Sequence, residues 1–129
     1  MNVPDHLKYS NEHEWIKTDG NIATIGVTDH AQNELGDIVF VEVDTVDEEI
    51  VKDEIFGSIE AVKTTSDLFM PLSGKIIEFN NKISEEGDDN PALINEDPYG
   101  EGWIIKMEIQ DMEELNTLLS SKEYKNLIG

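Results

Sequence analysis

The 129-residue chain has no cysteine. It therefore forms no disulfide, offers no thiolate nucleophile and binds no zinc through sulfur, so any sulfur redox chemistry must come from an attached group. A chain of this length buries a core without such staples, and residues 1–129 are expected to form a single domain. Positive charge is scarce as well: nine Lys plus Arg stand against 29 Asp plus Glu, a formal charge of -20. A field this negative disfavours nucleic acid and anionic membranes as partners. The acids are spread along the chain instead of forming one tail, the pattern of a folded, solvated surface that docks basic protein faces. No apolar run approaches the roughly 20 residues that span a bilayer. Met1-Asn2-Val3-Pro4-Asp5-His6 has neither the basic and apolar segments of a secretory signal nor the Arg-rich character of a transit peptide, so the expected location is the cytoplasm.

A self-sufficient active site is missing too. His6, His13 and His30 are scattered, and none has the i, i+4 or carboxylate-linked spacing of a metal site. Neither a Gly-rich phosphate loop nor a nucleophile elbow occurs. Ser84-Glu85-Glu86-Gly87-Asp88-Asp89-Asn90-Pro91 is acidic but lacks the alternating ligands and terminal glutamate of an EF-hand, so no metal is expected. The chain is read as a non-enzyme.

What is present is a series of short β-prone runs. Glu14–Thr18 and Asn21–Val27 flank Asp19-Gly20, a hairpin pair whose residues both tolerate positive φ. Thr28 or Asp29 caps a short helix through Leu35, ended by Gly36. Ile38–Val43 is apolar on both faces and reads as a central strand. The acidic stretch Asp44–Glu54 crosses the surface on the anchors Val46, Ile50 and Val51. Lys75–Phe79 forms another strand, and Gly74-Lys75-Ile76-Ile77 echoes Gly36-Asp37-Ile38-Val39, a hint of two similar β-halves. Residues 95–102 are turn-rich and lead to the strand Trp103–Ile109. At the end, Asp111 with Glu114 reads as a capping box for a helix with an apolar stripe of Met112, Leu115, Leu118 and Leu119. Ser120 with Glu123 opens a shorter helix with Tyr124, Leu127 and Ile128 inward. Two β-halves closed on one another make a flattened β-barrel, a barrel-sandwich hybrid of two sheets, with short helices and a C-terminal helical segment.

The stretch Ile55–Gly74 organises the rest. Ile55, Phe56, Ile59 and Ala61 run in, Val62-Lys63-Thr64 makes the tip, and Leu68, Phe69 and Met70 run out until Pro71 and Gly74 stop the pairing. Lys63 thus sits on a protruding turn without an acid beside it, its amine solvated and reachable by a modifying enzyme. Lysine at a hairpin tip often only keeps a sheet end soluble. The residues around this one say more. Gly57-Ser58-Ile59-Glu60-Ala61-Val62-Lys63-Thr64-Thr65-Ser66-Asp67-Leu68, followed by Pro71-Leu72-Ser73-Gly74, resembles the lipoyl-lysine signature of the H protein of the glycine cleavage system, roughly G-x-[IV]-E-[SA]-V-K-x-x-S-[DE]-L and then P-x-S-G. The likeness continues through His13-Glu14-Trp15, Ala23–Gln32, Leu35–Val41 and Leu93–Trp103. Phe69-Met70, where the family usually has a more polar pair, and the acidic loop Glu85–Asp89 are modest departures.

This resemblance implies a lipoyl carrier. Lipoate in amide linkage to Lys63 places a dithiolane on a long arm that visits several enzymes. In the family, a pyridoxal-phosphate glycine decarboxylase transfers an aminomethyl group to a lipoyl sulfur, and a tetrahydrofolate-dependent aminomethyltransferase takes the one-carbon unit. A dihydrolipoamide dehydrogenase then reoxidises the dithiol, and a lipoate ligase or lipoyl/octanoyl transferase loads the arm. Chemistry belongs to the cofactors and partners, and the carrier is expected to be a monomer. A cationic aminomethyl group is sheltered from hydrolysis by a carboxylate in a partly desolvated cleft, and Glu14 and Asp67, both in family-like stretches, are the acids expected there. Methionines flanking the lysine, the mark of biotin carriers, are absent. A lipoyl donor to other proteins and an unmodified interaction protein stay open as alternatives.

Overall fold

The computed structural model describes residues 2–129. In chain order the elements are strands β1 (Lys8–Tyr9), β2 (Glu14–Asp19) and β3 (Ile22–Val27), helix α1 (Asp29–Leu35), strands β4 (Ile38–Glu42), β5 (Glu49–Ile50), β6 (Ile55–Ala61), β7 (Thr65–Phe69) and β8 (Gly74–Phe79), helix α2 (Leu93–Glu96), strand β9 (Ile105–Ile109), a 3₁₀ turn Met112–Thr117 and helix α3 (Ser121–Ile128). They form a six-stranded sheet in the order β1-β2-β3-β9-β8-β5 and a three-stranded sheet in the order β4-β6-β7, antiparallel throughout.

Period-two burial explains why these runs pair. Ala23, Ile25 and Val27 of β3 are buried, as are Ile76 of β8 and Met107 of β9, and they meet Val41, Ile59 and Leu68 from the small sheet in one apolar core. The expected barrel-sandwich architecture is therefore present as two facing sheets. No ladder joins β4 to β8 among the described residues, so the barrel does not close. A second apolar cluster lies apart, where Val3, Leu7, Tyr9 and Trp15 are covered by Tyr124 of α3. Tyr9 and Tyr124 stack there with centroids 4.7 Å apart.

Local signals held where their partners were local. Thr28 caps α1 by accepting from the Ala31 N–H, and Gly36 ends it at φ 80. The capping box of Ser120 and Glu123 is formed. The hint of duplication also has a structural counterpart. Both β4 and β8 carry a bulge, between Ile38 and Phe40 and between Ile76 and Glu78, and each turns the intervening residue, Val39 or Ile77, toward solvent.

Other expectations need correction. In the first hairpin Asp19 pairs with Ile22, so the loop is Gly20-Asn21 and only Gly20 takes a positive φ, as a turn with glycine first requires. Strand β4 is an edge strand, and β6 is the centre of its sheet. An unbroken apolar run hides which strand is flanked on both sides, and here the bulge leaves Val39 47% exposed. Of the anchors in Asp44–Glu54, only Ile50 packs on the core, whereas Val46 and Val51 are exposed. The segment after Asp111 is a 3₁₀ turn without a capping box. Asp111 accepts from the Glu113 N–H, and Glu114 is drawn to the β7–β8 connection, where it accepts from the Ser73 N–H and Oγ at 2.7 and 3.0 Å. Met112 is exposed as a result, and Leu127 of α3 also faces outward. Helix α2, one turn long, lies just before and partly within the stretch read as turns.

Close backbone approach requires glycine at several positions, Gly74 among them. A Cβ on Gly74, at the start of β8, would collide with the Glu108 carbonyl oxygen and the Met107 methyl of β9. Gly74→Ala is expected to lower the unfolding free energy by about 1–3 kcal/mol. Urea unfolding checks this, and a midpoint equal to that of the parent would contradict the packing described.

Candidate functional site

Lys63 lies on the three-residue turn Val62–Thr64 between β6 and β7, and it is exposed. The turn closes where the Ala61 N–H donates to the Thr64 carbonyl at 2.7 Å. It is also held from outside its own hairpin, because the Val62 N–H donates to the Asp37 carbonyl at 3.0 Å. That bond ties the tip to the α1–β4 connection. Gly36 in this connection does more than end the helix: a Cβ there would fall 2.9 Å from the Lys63 Cε, so the lysine stem passes over bare backbone.

Asn95 of α2 braces the same region. Its side chain accepts from the Ile38 N–H and donates to the Gln32 side chain and the Gly36 carbonyl, at 3.0, 3.0 and 2.8 Å. One amide thus joins α1, α2 and the start of β4. Asn95 and Gly36 were not singled out as site residues in the sequence, because their contacts cross some sixty positions of chain for one and depend on a lysine conformation for the other.

Between α1 and β7, beside the lysine turn, is a cavity of about 460 Å³. His13, His30, Glu34, Ser66 and Asp67 supply its polar wall and Leu35 part of its apolar one. Asp67 is exposed, on the edge strand β7 opposite Ser58. The histidines, scattered in the sequence, are neighbours here with ring centroids 4.9 Å apart. The pairing of Glu14 with Val27 across the β2–β3 hairpin brings the residues just before and just after it together. His13 adopts φ 65, and its Nδ1 lies 2.9 Å from the Tyr124 hydroxyl, which in turn meets Thr28 Oγ1 at 2.7 Å. Burial, followed by the charge of His30, lowers the His13 pKa.

Glu14 stands in a different setting. Only 2% exposed at the start of β2, it lines a second cavity of about 260 Å³ with Ser10, Lys52 and Phe69. Its Oε1 accepts from Ser10 Oγ at 3.2 Å and its Oε2 from the Phe69 N–H at 3.0 Å. It therefore holds the end of the strand that leaves the lysine turn. Burial pushes its pKa up to about 8 even though the hydrogen bonds from Phe69 and Ser10 pull the other way. Glu14 and Asp67 thus line separate cavities, and Glu12 borders both.

The glycine cleavage H-protein family model matches residues 7–129. A glycine cleavage system H protein of Staphylococcus haemolyticus is 53% identical over 129 residues, covering 100% of this chain and 99% of that protein. The crystal structure of a glycine cleavage system H protein from Mycobacterium marinum superposes with a TM-score of 0.87 at 36% identity, covering 98% of this chain and 99% of that one.

The Glu14 environment has a pH signature. An acid whose folded pKa lies above its unfolded value binds its proton more tightly when folded, so stability falls as pH rises between the two values. For Glu14 that window runs from 4.5 to about 8. His13 acts in the opposite sense, because its lowered pKa gives a contribution present above 6.5 and lost as pH falls. Glu14→Gln is expected to gain stability relative to the parent across the Glu14 window, by on the order of a few kcal/mol. Unfolding curves for the two proteins at several pH values check this, and a constant difference would contradict it.

Proposed function

Because this chain belongs to the glycine cleavage H-protein family, we propose that it is the lipoyl carrier of that system, with lipoate joined in amide linkage to Lys63. In this role it moves the aminomethyl group of glycine from the pyridoxal-phosphate glycine decarboxylase to the tetrahydrofolate-dependent aminomethyltransferase, and reducing equivalents to dihydrolipoamide dehydrogenase. It acts as one carrier domain and a monomer, in the cytoplasm, and is loaded by a lipoate ligase or a lipoyl/octanoyl transferase. Among the described residues no helix is long and apolar enough to cross a membrane.

The observation that carries the reading is the lysine turn itself: an exposed primary amine on a short turn held at both ends by backbone hydrogen bonds. A loading enzyme needs such an amine reachable and its base rigid. The stem's path over Gly36 leads toward α1, one wall of the larger cavity, so an arm on Lys63 has an apolar surface to fold against. When bound, lipoate supplies the disulfide that accepts the group and the electrons.

The chain's own acids then hold the cargo's ammonium. Asp67, on the strand that leaves the turn, meets it from the larger cavity. Glu14, which accepts from the Phe69 N–H, reaches it from the smaller one, and Glu12 borders both. With its pKa near 8, Glu14 is mostly protonated at neutral pH, and an incoming cation favours its ionised form, so uptake of the ammonium releases a proton. The retained cation is then shielded from water by a charge-assisted hydrogen bond.

Lys63→Arg keeps the positive charge and removes the acylable amine. Incubated with lipoate ligase, ATP and lipoate, this variant is expected to keep its unmodified mass and to support glycine-dependent exchange with the decarboxylase no better than a mixture without carrier. Full loading elsewhere on the chain would contradict the assignment. Glu14→Gln and Asp67→Asn are expected to load normally and to lose the aminomethyl group roughly ten- to a hundredfold faster, the equivalent of one charge-assisted hydrogen bond. A release rate unchanged in both would remove the acids from the account.

A further inference from the structure

The seam where the two sheets fail to close is itself a feature. Strand β4 is the outer strand of the small sheet, so along one of its edges no other strand is paired among the described residues. Across from it, the pairing of β8 with residues 47–50 ends at Ile76. Between β4 and the uncovered end of β8 runs a groove of about 720 Å³.

Its floor is apolar, built from Phe40, Val46, Ile77 and Phe79. Val46 and Ile77 are 36% and 39% exposed and line the same groove, their chain neighbours Asp47 and Ile76 being joined by a backbone hydrogen bond. Its rim is acidic, with Glu42, Asp44, Glu78, Glu85 and Glu86, and its remaining lining residues carry no positive charge. The ion pairs among the described residues, Lys52–Asp53, Lys82–Glu101 and Lys125–Asp5, use none of these five acids. An apolar floor inside a ring of like charges repels a second copy of this chain, which is equally acidic, and attracts a cationic surface. The free edge of β4 suits an extended chain that adds as a strand.

We propose that this groove docks an extended, cationic segment of a partner protein, with apolar side chains set over Val46 and Ile77 and lysine or arginine side chains against the acidic rim. The position leaves the lysine turn clear. The groove begins at Phe40, which pairs with Glu60, and runs away from the turn past Glu42, which pairs with Ser58 further along β6, while none of Val62–Thr64 lines it. A partner held here grips the carrier by its side while Lys63 stays free to enter an active site.

The inference does not depend on the state of Lys63, and its test uses the unmodified protein. A nine-residue synthetic peptide of alternating lysine and valine is titrated into the ¹⁵N-labelled chain. Saturable amide shift changes are expected at residues 40–46, 77–79 and 84–86. The affinity is expected to fall roughly tenfold in Val46→Ser/Ile77→Ser and again in Glu42→Gln/Glu85→Gln/Glu86→Gln. Asp19→Asn/Glu113→Gln, which removes charge elsewhere on the surface, is expected to bind within about twofold of the parent. All these substitutions fall on exposed side chains, and spectra outside the groove report whether the fold is kept. Shift changes spread evenly over the acidic surface, groove variants that bind as the parent does, or no binding at all would each overturn the proposal.

Discussion

The structure depends on the burial of two sheets against each other. A lone hairpin is marginal in water, and a small sheet needs an apolar face to hold it; the sheet that carries the lysine turn has three strands. Ile59 and Leu68, on either arm of the hairpin, are buried in the same core as Ile25 and Met107 of the large sheet. Because the base of the hairpin is fixed there, its tip can protrude without fraying. Rigid base and exposed tip are one arrangement seen from two ends.

Around that arrangement, polar contacts are spent on position. The Val62–Asp37 bond and the Asn95 amide hold the turn against α1 and β4. Glu14 holds the departing strand through the Phe69 N–H, at the cost of a carboxyl kept from water. His13, on the wall of the larger cavity, meets the Tyr124 hydroxyl, which also meets Thr28, and these contacts fasten the C-terminal helix there. The chain has 29 acids and few bases, so most of its surface charge is unpaired. This suits a protein that works by being bound in turn by others, since electrostatic attraction mainly speeds encounter and selects partners.

How much of this was legible depended on the range of the interactions. The lysine turn was plain because its strands, tip and terminating Pro71 and Gly74 lie within one short stretch. Thr28, Gly36 and the Ser120–Glu123 box were equally local. The edge position of β4 was hidden because an all-apolar run carries no period-two signal, and pairing order is a property of distant segments. Glu114 deserted its expected cap for Ser73, some forty positions away. The meeting of His13 and His30 was in principle readable from the hairpin register, but only after that register was known to within one residue. Glu14 was marked through likeness to a family, and its burial, which sets its proton affinity, came only with the fold.

In the proposed role, Lys63 carries the arm on which the protein's work is done. The most direct measurement is the intact mass of protein purified from its own cells, with peptide mapping across Lys63. One lipoyl amide on Lys63 is the predicted result. A biotin mass, a lipoyl group on another lysine, or an unmodified Lys63 in cells that lipoylate other proteins would contradict it.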